Sequence, residues 1–204
     1  MIIDGLSIKD TIFAFLDIET TGLDPRWGDK VCEVAILRTC NACNIDSFHS
    51  LIDPGREISP GAYAVNGITP AMLRGKPKFG EIAPKILEFL EGTVIVCHNA
   101  PFDPGFLEVE LSEVGLCLPN CLIVDTLTLA RRCFNFWSNS LGNVAKCLGI
   151  EISQEHRAMG DVLTTQKVFQ KFIEDFHRRG VTALSEVLAL QKEPSWKRGD
   201  KRDL

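Results

Sequence analysis

The chain has 204 residues, 45% of them hydrophobic and 24% charged, with a formal net charge of −5. That length supports one well-buried core, and no Gly/Ser-rich or Pro-rich stretch divides it. No apolar run approaches the roughly 18 residues that cross a bilayer, and MIIDGLSIKD is acidic and polar where a signal peptide is basic and then apolar; the expectation is a cytoplasmic protein without membrane contact.

The first predicted element is a buried strand over residues 11–17 (TIFAFLD), rich in β-branched and aromatic side chains, followed by the turn-rich TTGLDPRWGD. Residues 31–38 (VCEVAILR) predict a second strand. Residues 44–52, closed by Asp53-Pro54-Gly55, predict a third in an antiparallel meander. The period then changes. Ser59 is placed to cap a short helix over 61–65, and residues 79–91 carry apolar side chains at helical spacing until Gly92. A short buried strand over 93–97 (TVIVC) precedes a helix over 104–114 that ends at Gly115. Residues 122–124 suggest a fifth strand, with helices over 126–132, 141–148 and 160–176. A meander followed by strand–helix alternation is a mixed α/β sheet with helices on its faces. The expected domain is 1–176. Residues 177–204, with the apolar VTALSEVLAL and a basic tail, are expected to be a short, partly disordered extension.

Eight cysteines sit mostly within apolar runs, which fits free thiols in a reducing compartment. Cys40 and Cys43 form a CxxC, and Cys117 and Cys121 a CxxxC. Neither has turn glycines or histidines at zinc-finger spacing, and the CxxC precedes a strand where a redox motif would open a helix.

Three short motifs carry the chemistry. FLDIETTG places Asp17 and Glu19 two apart at a strand end, on one face, where both can reach a shared cation. An acidic residue ending an apolar strand is costly unless compensated; read alone, the pair is equally a solvated strand end. CHNAPFD places Asp103 where a loop opens a helix, a position that also suits a cap. His98 and Asn99 just upstream fit a role in orienting that loop. HRAMGD places His156 on an approach turn and Asp161 in the first turn of the following helix. Imidazole, with an unperturbed pKa of about 6.5, suits proton abstraction near neutral pH. Hard divalent cations take oxygen ligands, and two held roughly 3.5–4 Å apart clamp the attacking and leaving oxygens of a phosphodiester displacement. The negative net charge does not exclude nucleic acid, because each bound cation reverses the sign locally.

With these motifs in this order, the chain resembles the DEDDh subclass of 3'-5' exonucleases, of the ribonuclease-H-like fold. This class includes the proofreading epsilon subunit of bacterial replicative DNA polymerase III. The likeness runs over about 11–176 and takes in VNGITPAML and IVDTLTLARR. It implies that Asp17, Glu19, Asp103 and Asp161 bind two Mg²⁺ or Mn²⁺ ions, with His156 activating water and a nucleoside 5'-monophosphate as product. It also implies that Thr20, Thr21, Gly22 and Leu23 hold the terminal nucleotide of a single-stranded or frayed 3' end, DNA in preference to RNA. Phe102 would pack on the penultimate base, or else belong to the core. Asn66 stands where the epsilon subunit has a histidine near the terminal base. Ribonuclease T and oligoribonuclease share the motif set, so RNA is the alternative substrate, and docking on a DNA polymerase is a third possibility. The aromatic segment CFNFWSNS (133–140) is open to three readings: core, partner surface or base-stacking site.

Overall fold

The computed structural model describes residues 6–152 and 156–192. Five strands, β1 (Ile12–Thr20), β2 (Val31–Cys40), β3 (Cys43–Leu51), β4 (Val94–Cys97) and β5 (Leu122–Asp125), form one sheet in the order β3-β2-β1-β4-β5. The β1–β2 and β2–β3 pairs are antiparallel and the β1–β4 and β4–β5 pairs parallel, which is the mixed sheet expected from the sequence. The turn between β2 and β3 has Asn41 at φ 50 and Ala42 at φ 61. Two central residues with positive φ make the tight hairpin turn whose twist matches that of its strands. Cys40 and Cys43 are register partners across this turn, so the CxxC is a hairpin corner. Cys40 and Cys43, like Cys32, Cys97, Cys117, Cys121 and Cys147, are free thiols.

The central strand β1 is apolar on both faces because both are covered. Phe13 and Phe15, with Ala35, Leu37 and Val96, pack against α5 (Thr126–Cys133), α6 (Leu141–Cys147) and α7 (Ala158–Arg178). The intervening Ala14, Leu16 and Ile18, with Val34, Ile36 and Ile95, pack against α3 (Phe79–Leu90) and α4 (Asp103–Glu113). Two shorter helices follow β3 in the chain. These are α1 (Pro60–Asn66), where the Ser59 hydroxyl accepts from the Ala62 N–H, and α2 (Pro70–Leu73), where Thr69 accepts from Met72. At four residues, α2 is too short to show a helical period in the sequence, and was not among the expected elements.

The C-terminal part differs from expectation. The boundary placed at residue 176 falls inside α7, which runs to Arg178. VTALSEVLAL then forms α8 (Leu184–Leu190), which buries Leu184, Val187 and Leu188 in the same core as Phe13. Gln191 fixes its end to β5, accepting from the Asp125 N–H at 2.8 Å and donating to the Ile123 carbonyl at 2.8 Å. Leu184, Val187 and Leu188 of the apolar patch are therefore core. The tail beyond 192 lies outside the described residues. In the aromatic segment, Phe134 stacks on Phe172 at 4.2 Å and Phe136 on Phe134 at 5.5 Å, so both are half-buried and pack against the core, while Trp137 is 78% exposed.

Candidate active site

Because β1 is longer than β4, its last residues run past the parallel partner. The pairing of β1 with β4 covers Phe13 to Phe15 only, so the backbone of Ile18 has no strand on that side. Asp103 fills the gap: its buried carboxylate accepts the Ile18 N–H at 3.1 Å. As the first residue of α4, behind the cap position Phe102, Asp103 spends this bond on the sheet. It thereby sits beside Asp17 and Glu19, which flank Ile18.

Asp17 and Glu19 point to the α7 side of the sheet, the face of Phe13 and Phe15. There Asp161, in the first turn of α7, meets them. One ligand atom from each of Asp17, Glu19 and Asp161 lies within 4.8 Å of the others, the one such group among the described residues. Asp103 lies outside that radius but is close enough to raise the Asp17 pKa by repulsion. His156 is exposed, in the turn before α7, and donates its N–H to Asp161 Oδ2 at 3.1 Å. Its φ of 58 is a left-handed backbone that few L residues adopt.

The electrostatics are those of an acidic site without enough positive charge. Burial, then the charges of Asp161 and Glu33, push Glu19 up to about 7. Burial also pushes Asp103 up to about 8, against the pull of the Ile18 N–H. Asp17 is held well above the usual carboxylate range by burial and by Asp103, Asp161 and Glu19. Oxygen donors that repel one another are the set a hard divalent cation neutralises, so the residues fit a metal centre.

A measurable consequence follows from the direction of these shifts. A carboxylate with a raised folded pKa binds more protons folded than unfolded, so stability falls as pH rises from its ordinary value through the folded one. The window is from 4.5 to about 7 for Glu19 and from 3.8 to about 8 for Asp103. Mg²⁺ or Mn²⁺ at 100 times its Kd should contribute about 2.7 kcal/mol at pH 8, raising Tm by roughly 5–10 °C. At pH 5 the gain should be much smaller, because the cation must displace protons. Thermal melts with and without EDTA at the two pH values check this; equal shifts would show that the raised carboxylates do not hold the ion.

Beside the acidic cluster, TTGL forms one wall of a cleft of about 600 Å³ lined by Glu19, Thr20, Leu23, Val65, Asn66 and Phe102, among others. Leu23 is 85% exposed there. The turn is held from within: the Thr21 N–H donates to Lys30 O at 2.8 Å, and the Ser59 N–H to Thr21 O at 2.9 Å. Gly22 abuts the Asp29 carboxylate, where an added Cβ would lie 2.2 Å from Oδ2. Asp29 also accepts from Thr21 Oγ1 at 3.3 Å and the Asp24 N–H at 3.2 Å, and pairs with Arg56 at 3.2 Å. Asn66 is buried. Its amide donates to Thr20 O at 3.3 Å and accepts from the Ile68 N–H at 3.0 Å, and it lies near enough to Glu19 to lower that carboxyl's pKa. Those bonds commit its polar atoms to holding the β1 end. His98 ties β4 to Thr126 Oγ1 and Asn139 O, both at 2.9 Å, consistent with an orienting part. Phe102 is half-buried and packs on Phe106 at 4.9 Å with its other side toward the cleft.

Sequence reasoning missed Glu33, Arg157 and Asp29. The available signal was a charge inside the apolar run VCEVAILR, since an acidic residue in a buried strand needs a partner.

A mixed five-stranded sheet whose central strand ends in clustered carboxylates, met by the first turn of a long helix, is the architecture of the ribonuclease-H-like fold with a site suited to divalent metal. The family model described as "Exonuclease" matches residues 14–169, and the chain belongs to that family. It is 40% identical over 182 residues to the "DNA polymerase III PolC-type" of Thermotoga petrophila, an alignment covering 89% of this chain and 13% of that protein. It is 30% identical over 181 residues to the "3'-5' exonuclease DinG" of Bacillus subtilis, covering 88% of this chain and 19% of the relative. The chain thus spans less than a fifth of the length of either. In fold it resembles E. coli Exonuclease I solved with a dT13 oligonucleotide, with TM-score 0.76 and 24% identity, over 83% of this chain and 42% of that one. Among the described residues no helix is long and apolar enough to cross a membrane.

Proposed function

We propose that this chain is a divalent-metal-dependent 3'-5' exonuclease that hydrolyses DNA from a single-stranded or frayed 3' end, releasing nucleoside 5'-monophosphates. The observation that carries the reading is the meeting of Asp17, Glu19 and Asp161 within 4.8 Å at the end of an open cleft with an exposed apolar wall. Asp17, Glu19, Asp161 and Asp103 would hold two Mg²⁺ or Mn²⁺ ions. When bound, such ions lower the pKa of water and stabilise charge on the attacking and leaving oxygens. The imidazole of His156 takes the proton from the attacking water. Leu23 presses on the terminal base, and Phe102 offers a ring face to the next one, a contact that tolerates any base. Thr20 and Gly22 line the cleft where the terminal sugar and phosphate sit, and Thr21 and Asn66 support that turn from beneath. Names of relatives that carry "DNA polymerase III" and "3'-5' exonuclease" support DNA as substrate and this polarity.

Work beside a polymerase is a second reading, favoured by the PolC-type relative, of which this region makes up 13%. The test of substrate is direct. Matched 5'-labelled DNA and RNA oligonucleotides with Mg²⁺ should both be shortened stepwise from the 3' end, DNA at least about 10-fold faster, which corresponds to 1.4 kcal/mol of discrimination. Faster cleavage of RNA would reverse the assignment, and endonucleolytic fragments would remove it.

A further inference from the structure

Glu33 lies in the middle of β2 and is fully buried. Its register partner on β1 is Glu19, so the two carboxylates stand on one face, directly across from each other. Like charges so placed repel. Besides His49 on β3, what compensates Glu33 comes from the start of α7, 124 residues later in the chain. Arg157 Nε donates to Oε2 at 3.0 Å and Nη2 to Oε1 at 2.7 Å, a two-pronged pair. The Ala158 N–H donates to Oε2 at 3.3 Å, and His49 Nε2 meets Oε1 at 2.7 Å. Burial alone would raise the Glu33 pKa, yet these partners together hold it below the usual range.

Arg157 follows His156 directly and occupies the cap position of α7, where its carbonyl accepts the Asp161 N–H at 3.0 Å while its side chain makes no capping bond. The turn it belongs to is therefore clamped at two points: the His156 N–H on Asp161, and the Arg157 side chain with the Ala158 N–H on Glu33. His156 keeps its left-handed backbone between them. Such a conformation persists only where its surroundings over-determine it. Buried ion pairs are poor sources of stability, because desolvation offsets the attraction, and their best-attested use is to fix a register.

We propose that Glu33 and Arg157 are positioning residues. Their ion pair locks the His156 turn and the first turn of α7 onto the central sheet, so that the imidazole and Asp161 face Asp17 and Glu19 in one arrangement. The inference rests on the exonuclease reading, with His156 as the base. Partners of this kind, one step removed from the chemistry, change activity or metal affinity by about 10- to 100-fold. Arg157→Met should therefore lower kcat on a single-stranded oligonucleotide by about 30-fold with KM changed less than about 2-fold, and Arg157→Lys, which keeps the charge but loses the fork, by about 10-fold. Rates are read well below Tm, with the folded fraction verified by circular dichroism.

A double-mutant cycle separates positioning from general support. If Arg157 acts through His156, adding Arg157→Met to His156→Asn should cost less than about 3-fold further in kcat, because residues that act as a unit are not additive. Calorimetric Mn²⁺ titration of Arg157→Met should show affinity weakened by about 10-fold through Asp161. If Arg157→Met does not fold, Arg157→Lys carries the same cycle. Full additivity with His156→Asn, or wild-type kcat per folded molecule in Arg157→Lys, overturns the proposal. Failure of the underlying reading looks different: His156→Asn alone would then keep the wild-type rate.

Discussion

Asp17→Asn should lower mononucleotide release by roughly 10³-fold while leaving the EDTA-treated protein as stable as the wild type or more so. The two halves of this result have one cause. Asp17 is the carboxylate pressed by burial and by Asp103, Asp161 and Glu19 together, so its ionised form is unfavourable in the folded state. Asparagine keeps the shape and removes the charge, which relieves the repulsion. It also removes a ligand from the cluster that Asp17 forms with Glu19 and Asp161. Loss of about 4 kcal/mol of transition-state stabilisation, of the order a bound cation supplies, corresponds to about 10³ in rate. The measurements are steady-state release from a 3'-labelled single strand and paired melts with EDTA and with Mg²⁺. A variant that keeps more than a tenth of the activity would show that Asp17 is not a metal ligand.

His156→Asn should lower kcat by about 10²–10⁴-fold, the range for removal of a positioned general base. Asparagine is the informative replacement because the backbone at 156 has φ 58, a region that Asn tolerates better than most residues. An alanine variant would mix the loss of the imidazole with relaxation of the turn. The N–H that bonds Asp161 Oδ2 belongs to the backbone and survives the change, so Mg²⁺-dependent stabilisation should stay close to wild type. Activity is compared with the metal-induced Tm shift on the same preparation. Parallel loss of both would place His156 among the residues that hold the site together, and leave the base unassigned.

Much of this protein is set by local pattern. The runs TIFAFLD, VCEVAILR and TVIVC become β1, β2 and β4, because β-branched and aromatic side chains covered on both faces have no other way to bury. Ser59 and Gly92 mark helix ends by chemistry legible in one dimension: a hydroxyl that caps, and a residue free to take φ 70. The acidic pairing of Asp17 with Glu19 likewise needs only the period of a strand.

Other features depend on contacts between distant residues, and only the tertiary structure decided them. VTALSEVLAL reads as a loose extension until α5 and β5 supply the surface against which Leu184, Val187 and Leu188 bury. Asp103 reads as a helix cap until β1 outruns β4 and leaves the Ile18 N–H for it to bind. Glu33 is one more charge in a strand until Arg157, 124 residues away, answers it. The sequence alone determined which groups could do the chemistry, because residue type and spacing carry that information. Which of them face one another, and what holds the His156 turn in place, was determined by sheet register and by the packing of α7, which no local pattern encodes.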